Sequence, residues 1–227
     1  MKSLIIKQLT LLPIMGMLLF SLVGCEKEQP FQLRSTLYGF SVSDNSKVIF
    51  AAGNMLYDGV GVTEHQYDYG HFFSYDEAYS LWGRKHDGYG RTLSRSEWQY
   101  LLYKRANAEE RRASARIDTV NGLILLPDYW VLPRGIEFHP GNNGYSNNLY
   151  TLTEWERMEQ AGAVFLPASG IMDSGEVVNA GIQGTYFSST PSGTDDVYIT
   201  YFNNRRVDIF SVVREGRKYA VRLVMDM

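Results

Sequence analysis

The chain has 227 residues, of which 22 are Lys or Arg and 25 are Asp or Glu, so its net charge is −3. A mildly acidic protein lacks the basic surface that nucleic acid requires, and we therefore expect no nucleic-acid partner. A single cysteine excludes intrachain disulfides and thiolate metal clusters. The fold must accordingly be held together by packing and hydrogen bonds.

The N-terminus resembles the signal peptide of a bacterial lipoprotein. Lys2 and Lys7 precede an apolar run over residues 11–23, which is shorter than the ~20 residues of a membrane-spanning helix. The run ends in the residues LVGC, which are similar to a lipobox. In that motif the thiol of the cysteine, here Cys25, takes up the lipid.

This resemblance divides the chain into three segments. We predict a signal peptide over residues 1–24, a lipidated Cys25 with a polar tether over 25–36, and one folded domain over 37–227. The protein would then bind a membrane through its lipid anchor, in the outer membrane, with the cell surface as one option. The alternative is cleavage by the ordinary signal peptidase, which leaves Cys25 as a free thiol.

The first half of the domain is predicted to contain strands, a loop and one helix. Residues 40–44 and 47–51 are apolar stretches on either side of a turn, which predicts two strands. Residues 58–92 are rich in Gly, Tyr and His and predict mostly loop. Ser94 and Glu97 form a capping box, so we expect a helix from there to residue 105, with Trp98, Leu101 and Leu102 buried.

The second half is predicted to be mostly strand. Asn121-Gly122 favours a tight hairpin turn between strands over residues 116–120 and 123–126. Thr151 begins a second capping box, and its helix is expected to end near Gly162. Five further strands are predicted over residues 163–166, 185–190, 197–202, 206–212 and 218–225, and the last must be paired to be ordered.

Seven blocks of sequence occur in an order that we recognise. They are residues 50–57 (FAAGNMLY), 66–69 (QYDY), 93–102 (LSRSEWQYLL), 121–130 (NGLILLPDYW), 159–170 (EQAGAVFLPASG), 186–190 (YFSST) and 219–224 (YAVRLV). Together they resemble the Fibrobacter succinogenes major paralogous domain family, whose members are secreted or lipid-anchored proteins of Bacteroidetes-like bacteria. The resemblance extends over residues 40 to 227.

The resemblance implies a C-type-lectin-like fold, akin to that of the sulfatase-modifying factors. In that fold the N- and C-terminal strands pair and the long middle loops form a binding surface. We therefore expect a single α+β domain with two short helices around a twisted antiparallel sheet that the terminal strands close.

No catalytic residue, cofactor or metal site is predicted. Formylglycine-forming relatives of this fold use cysteine chemistry, and here the only thiol is Cys25. The tripeptides with which C-type lectins bind calcium do not occur, and the four histidines include no close metal-ligand pair. A calcium site at Asp195 and Asp196 is the alternative for a metal, and a pair of carboxylates is the alternative for hydrolysis.

The candidate ligand-binding residues lie on two late strands and the loop between them. They are Tyr198, Tyr201, Asn203, Asn204 and Arg205. Tyr and Asn combine stacking area with hydrogen bonds and lose little entropy on binding. The alternative is that Asn203-Asn204 only forms a hairpin turn. Both faces of the strand over 197–202 carry apolar residues, so the sequence leaves open which tyrosine points outward.

We expect a non-catalytic, membrane-anchored lipoprotein whose lectin-like domain binds a glycan or a protein. The alternatives are a structural role in an envelope or adhesive complex and a carbohydrate-active hydrolase. A glycan binder should expose aromatic rings beside amide and carboxylate groups. An assembly protein should expose an apolar patch or an unpaired strand edge, and a hydrolase should hold two carboxylates in a cleft.

The lipid anchor leads to a direct prediction. Replacing Cys25 with Ser removes the only nucleophile that can be lipidated, so the protein should leave the membrane fraction and appear in the soluble fraction. Fractionation of cells and immunoblotting measure this change. Persistence of the Cys25→Ser protein in the membrane fraction would contradict lipid anchoring.

Overall fold

The computed structural model describes residues 38–83, 90–141, 144–213 and 215–227. The predicted signal peptide, Cys25 and the tether over 25–36 lie outside these residues. The described part is an α+β structure, mostly sheet, with three α-helices. Within it, no helix is both long and apolar enough to cross a membrane.

The helices are α1 (Tyr75–Trp82), α2 (Arg95–Gln99) and α3 (Leu152–Gln160), with a π-helical turn at Tyr100–Lys104 and a 3₁₀ turn at Tyr145–Asn147. The strands are β1 (Phe40–Ser41), β2 (Lys47–Phe50), β3 (Phe72–Phe73), β4 (Arg112–Ile117), β5 (Val120–Leu125), β6 (Leu149–Tyr150), β7 (Val164–Pro167), β8 (Ile171–Asp173), β9 (Glu176–Val178), β10 (Gln183–Pro191), β11 (Asp196–Asn203), β12 (Val207–Val213), β13 (Arg217–Ala220) and β14 (Val224–Asp226).

The strands form three sheets rather than the single sheet expected. A three-stranded sheet has the order β1-β2-β14, and a four-stranded sheet has the order β6-β4-β5-β7. The largest has seven strands, in the order β12-β11-β10-β13-β8-β9 with β3 also on β13. Most pairs are antiparallel, but β10 with β13 and β4 with β6 are parallel.

The C-terminal strand is paired, as the sequence predicted. β14 lies antiparallel to β2, with Val224 opposite Phe50 and Asp226 opposite Val48. The predicted strand over 218–225 is nevertheless two strands, because the chain leaves the seven-stranded sheet after Ala220 and enters the three-stranded sheet at Val224. The end of the chain therefore joins two sheets.

Each of the three helices begins with a capping box, in which a hydroxyl and a carboxylate each bind a backbone N–H. The boxes predicted at Ser94 and Thr151 are confirmed. A third box at Ser74 and Glu77 begins α1, which carries Ala78 and Trp82 into the core. The prediction of mostly loop over 58–92 is therefore wrong for α1, and the expected number of two helices is wrong by one.

The predicted hairpin forms, but the position predicted for its turn, Asn121-Gly122, is wrong. β4 and β5 do form an antiparallel hairpin, but its turn is at Asp118, which has a φ of 51°, and Gly122 lies within β5. A Cβ at Gly122 would overlap the ring of Phe165 on the neighbouring strand β7. Glycine is thus required at this position by a close approach across the sheet.

Among the described residues, three apolar clusters form the core, and each helix packs on one of them. Trp98 of α2 and Leu101 and Leu102 of the π-helical turn are buried in the first cluster, as predicted. The cluster beneath α1 contains Trp82, and the cluster beneath α3 contains Trp155. Each helix therefore covers its own part of the core rather than sharing one central layer.

A buried arginine joins segments that are far apart in the sequence. Arg222 lies between β13 and β14, and its Nε donates to Asn54 Oδ1 at 2.9 Å. The two Nη atoms donate to Gln66 Oε1 at 3.2 Å and to the carbonyls of Ala51, Gln66 and Phe165 at 3.3, 3.4 and 3.1 Å. Because a guanidinium has five N–H donors in a rigid fork, it can satisfy several buried acceptors at once.

This network leads to a prediction about stability. Replacing Arg222 with Ala leaves buried acceptors on three segments without their donor, so the free energy of unfolding should fall by about 3 kcal/mol or more. Urea unfolding followed by circular dichroism measures the change. The exposed Arg205 is the matched control, and Arg205→Ala should change stability by less than about 0.5 kcal/mol. Equal stability of the two variants would show that the network contributes little.

Candidate functional site

The predicted ligand-binding residues belong to the hairpin of β11 and β12. Its turn begins at Asn203, whose N–H donates to the carbonyl of Arg206 at 2.9 Å. The side-chain oxygen of Asn203 accepts from the N–H groups of Arg205 and Arg206 at 2.8 and 3.0 Å. Asn203 therefore forms a hairpin turn, and the same side chain also contacts Tyr201. Its role in ligand binding stays a prediction.

The register of the hairpin decides which residues share a face. Tyr201 lies opposite Asp208 and Ile199 lies opposite Phe210, so these four side chains are on one side of the sheet. The ring centroids of Tyr201 and Phe210 are 5.4 Å apart. Both rings are half-buried, since the inner part of this face packs on the core beneath α1.

Polar groups surround these two rings. The guanidinium of Arg206 lies 5.4 Å from the ring centroid of Tyr201 and 5.7 Å from that of Phe210. Asn203 Nδ2 donates to Tyr201 Oη at 2.7 Å, and Arg206 pairs with Asp208 at 3.5 Å. We call these five residues the aromatic platform. It combines ring surface with an amide, a carboxylate and a cation.

The structure separates the predicted site residues. Tyr201 and Asn203 are brought together on the platform. Tyr198 lies on the opposite face of β11, where its ring is 4.3 Å from the guanidinium carbon of Arg95. Asn204 and Arg205 are exposed in the turn. A role of Tyr198, Asn204 and Arg205 in ligand binding stays a prediction.

Three platform residues, Arg206, Asp208 and Phe210, were not predicted. The signal that could have found them is the pairing of the two strands, because residues across a hairpin share a face when their register is known. The register depends on where the turn lies, and Asn203 marks that turn. A hairpin turn at Asn203-Asn204 was only one of two alternatives in the sequence, so the register could not be derived from it.

A group of tyrosines continues the polar surface toward the start of β10. Tyr145 donates its hydroxyl hydrogen to the carbonyl of Ile182 at 2.9 Å. Burial raises the pKa of Tyr145 above its ordinary value, and the neighbouring phenols of Tyr201 and Tyr69 raise it further. At neutral pH the phenol of Tyr145 is protonated, so it acts as a hydrogen-bonding group and not as a charge.

A cleft of about 610 Å³ lies beside the start of α1. Its wall carries Asp195 and Glu215 together with Arg217 and Lys218. Lys218 pairs with Glu77 at 3.3 Å, and Arg217 pairs with Asp173 at 3.4 Å. Both cations therefore already have anionic partners.

The structure gives no support for calcium at Asp195 and Asp196. Asp195 accepts from Thr194 at 3.2 Å, whereas Asp196 accepts from Ser211 at 3.4 Å on the neighbouring strand. In the part of the chain that the structure describes, no three His, Cys, Asp or Glu side chains converge as metal ligands would.

A second cleft of about 390 Å³ contains Glu137, His139, Tyr150 and Glu154. Glu154 caps α3, and hydrogen bonds from the backbone and side chain of Thr151 lower the pKa of its carboxyl. A carboxyl that donates a proton to a glycosidic oxygen needs its pKa raised. The lowered pKa of Glu154 is the opposite of what such an acid needs.

No protein-family model, no curated protein sequence and no solved structure matches this chain. The resemblance to the major paralogous domain family accordingly stays a prediction from the sequence blocks.

The turn residue of the platform has a measurable structural role. Asn203→Ala removes the acceptor for two backbone N–H groups and the donor to Tyr201, so the free energy of unfolding should fall by about 1 kcal/mol. Asn204→Ala, one position along in the same turn, should leave stability unchanged within about 0.5 kcal/mol. Thermal unfolding distinguishes the two variants, and equal losses would assign no special role to the Asn203 side chain.

Proposed function

We propose that this protein is an exported, lipid-anchored lipoprotein that binds a glycan on the aromatic platform and catalyses no reaction. The anchor is Cys25, in the outer membrane, and the domain is a C-type-lectin-like variant of the α+β class. Pairing of β2 with β14 supports that fold, because it brings the two ends of the domain together. A protein ligand is the second candidate for the same surface.

The observation that carries the proposal is the composition of the platform. A sugar ring presents an apolar face of C–H groups and a rim of hydroxyls. Tyr201 and Phe210 offer ring surface for such a face, while Asn203 and Asp208 offer an amide and a carboxylate for hydroxyls. The exposed guanidinium of Arg206 extends the planar surface beyond the two rings.

One edge of the seven-stranded sheet weighs against strand addition at that edge. β12 is one edge strand and β9 is the other, and the register of β12 directs the backbone groups of Val207, Ile209, Ser211 and Val213 outward. Side chains already bind three of these outward groups. The Tyr103 hydroxyl donates to Val207 O at 2.8 Å, the Tyr219 hydroxyl donates to Val213 O at 3.4 Å, and the Ile209 N–H donates to Asp208 at 2.8 Å. An incoming strand would have to displace these bonds.

A glycan array tests the proposal. The Cys25→Ser chain should bind one class of glycan reproducibly, and Phe210→Ala or Arg206→Gln should weaken that binding at least tenfold, because each removes ring or planar polar surface from the platform. Both changes lie at partly or fully exposed positions, so the domain should still fold.

Tyr198→Ala is the matched control, since it removes a tyrosine from the same strand but from the opposite face. It should leave glycan binding within twofold of the parent. A parent chain that binds no glycan, or platform variants that bind as well as the parent, would refute the glycan proposal. Loss of binding in Tyr198→Ala alone would move the site to the other face of β11.

A further inference from the structure

An apolar loop projects from the domain between β5 and the 3₁₀ turn. Tyr129, Val131 and Leu132 are 78%, 80% and 40% exposed. Trp130 lies between them and is half-buried against the cluster beneath α3. Three large apolar side chains within four residues form a surface of the kind that marks an interaction site.

The base of this loop is held firmly at both ends. Asp128 donates its N–H to the carbonyl of Gly39 at 3.0 Å, and its carboxylate accepts from the Ser41 hydroxyl at 2.7 Å. At the other end Ile136 is buried and its N–H donates to the Pro133 carbonyl at 3.2 Å. The loop is therefore anchored at both ends, and its apolar side chains are exposed.

Cationic side chains lie beside the apolar loop, together with the carboxylate of Asp128 at its base. The Lys47 ammonium lies 4.9 Å from the Tyr129 ring centroid and pairs with Asp128 at 2.9 Å. Arg111 Nη1 donates to the Pro127 carbonyl at 2.7 Å. Arg157 donates to the carbonyl of Arg134, which is itself exposed. Aromatic and aliphatic residues with flanking Lys and Arg suit the interface of an anionic bilayer, where rings lie at the level of the headgroups.

The position of the loop relative to the N-terminal segment also favours a bilayer as its partner. Residue 39 is bonded to residue 128, so the polypeptide enters the domain at the base of the loop. Cys25 precedes Tyr38 by 13 residues, which reach at most about 45 Å when fully extended. A lipid on Cys25 would thus keep the point where the chain enters the domain within about 45 Å of the bilayer.

We propose that the loop over residues 129–132 docks on an anionic lipid surface and orients the domain on its membrane. The inference rests on the proposed anchoring for the presence of a membrane, while the docking itself depends only on the chemistry of the loop. A protein partner for the same loop is the competing outcome of the test.

The four tryptophans provide a direct measurement. Trp82, Trp98 and Trp155 are buried, and Trp130 is half-buried beside the exposed loop. When the loop enters the headgroup region, Trp130 moves to a less polar environment and its fluorescence emission shifts to shorter wavelength. Residues 1–24 contain no tryptophan, so the signal peptide does not contribute to this readout.

The experiment uses the chain without its predicted signal peptide, residues 25–227 carrying Cys25→Ser, because the apolar run over residues 11–23 would itself bind a bilayer. This protein is mixed with large unilamellar vesicles of phosphatidylglycerol and phosphatidylethanolamine. We expect co-sedimentation with these vesicles and a blue shift of emission that Trp130→Phe abolishes. Replacing Tyr129, Val131 and Leu132 together with Ser should lower the partition coefficient at least tenfold. Vesicles of phosphatidylcholine alone should bind several-fold more weakly, because they lack the anionic charge.

The control replaces three exposed residues elsewhere, Tyr57, Val60 and Val177, which are 81%, 58% and 47% exposed. It removes a similar apolar surface and should bind vesicles within twofold of the parent. Absence of a blue shift, or equal vesicle binding by the loop variant and the parent, would overturn the docking and favour a protein partner. Because every variant lacks the Cys25 thiol, such a failure would leave lipid anchoring and glycan binding untouched.

Discussion

The fold depends on one buried guanidinium. Arg222 is supplied by the connection between two sheets, and it satisfies acceptors on the chain near Asn54, at Gln66 and at Phe165. Gln66 in turn accepts from the Phe165 N–H at 2.8 Å and donates to Glu159 at 2.9 Å, so the network extends to the end of α3. Each of these segments is irregular or short, and none could satisfy its polar groups by strand pairing alone. The arginine thus replaces a part of the backbone hydrogen bonding that longer strands would provide.

The sequence predicted best the features that depend on neighbouring residues. The helices after Ser94 and Thr151 combine a capping box with apolar spacing, and both signals lie within a few residues. The box at Ser74 is of the same type, but the Gly- and Tyr-rich composition around it suggested a loop. Gly122 shows the opposite limit. The dipeptide Asn121-Gly122 is typical of a turn, but Gly122 lies within a strand. Glycine is required there because the ring of Phe165 is too close for a Cβ. Phe165 is far away in the sequence, so the residues next to Gly122 do not indicate this contact.

The candidate site was predicted only in part, for a related reason. Strand alternation placed Tyr198 and Tyr201 on opposite faces of β11, but the sheet is covered on both sides by apolar clusters. Ile199 is buried on one face and Phe202 on the other, so hydrophobicity could not indicate which face is open. Phe210 and Arg206 join the site through pairing across the hairpin. The platform and the apolar loop have no residue in common, so the proposed ligand binding and the proposed membrane contact can be altered separately.

The position of Arg222 has a further consequence for the timing of folding. The residues that close the network, together with β14, are among the last of the described chain to be synthesised. A polypeptide that crosses a membrane N-terminus first must remain unfolded until it has passed through the translocation pore. Here the segments around Asn54, Gln66 and Phe165 have no common donor until Arg222 has followed them. In the proposed export, the late position of Arg222 would leave these segments without their common donor until most of the chain had crossed the membrane.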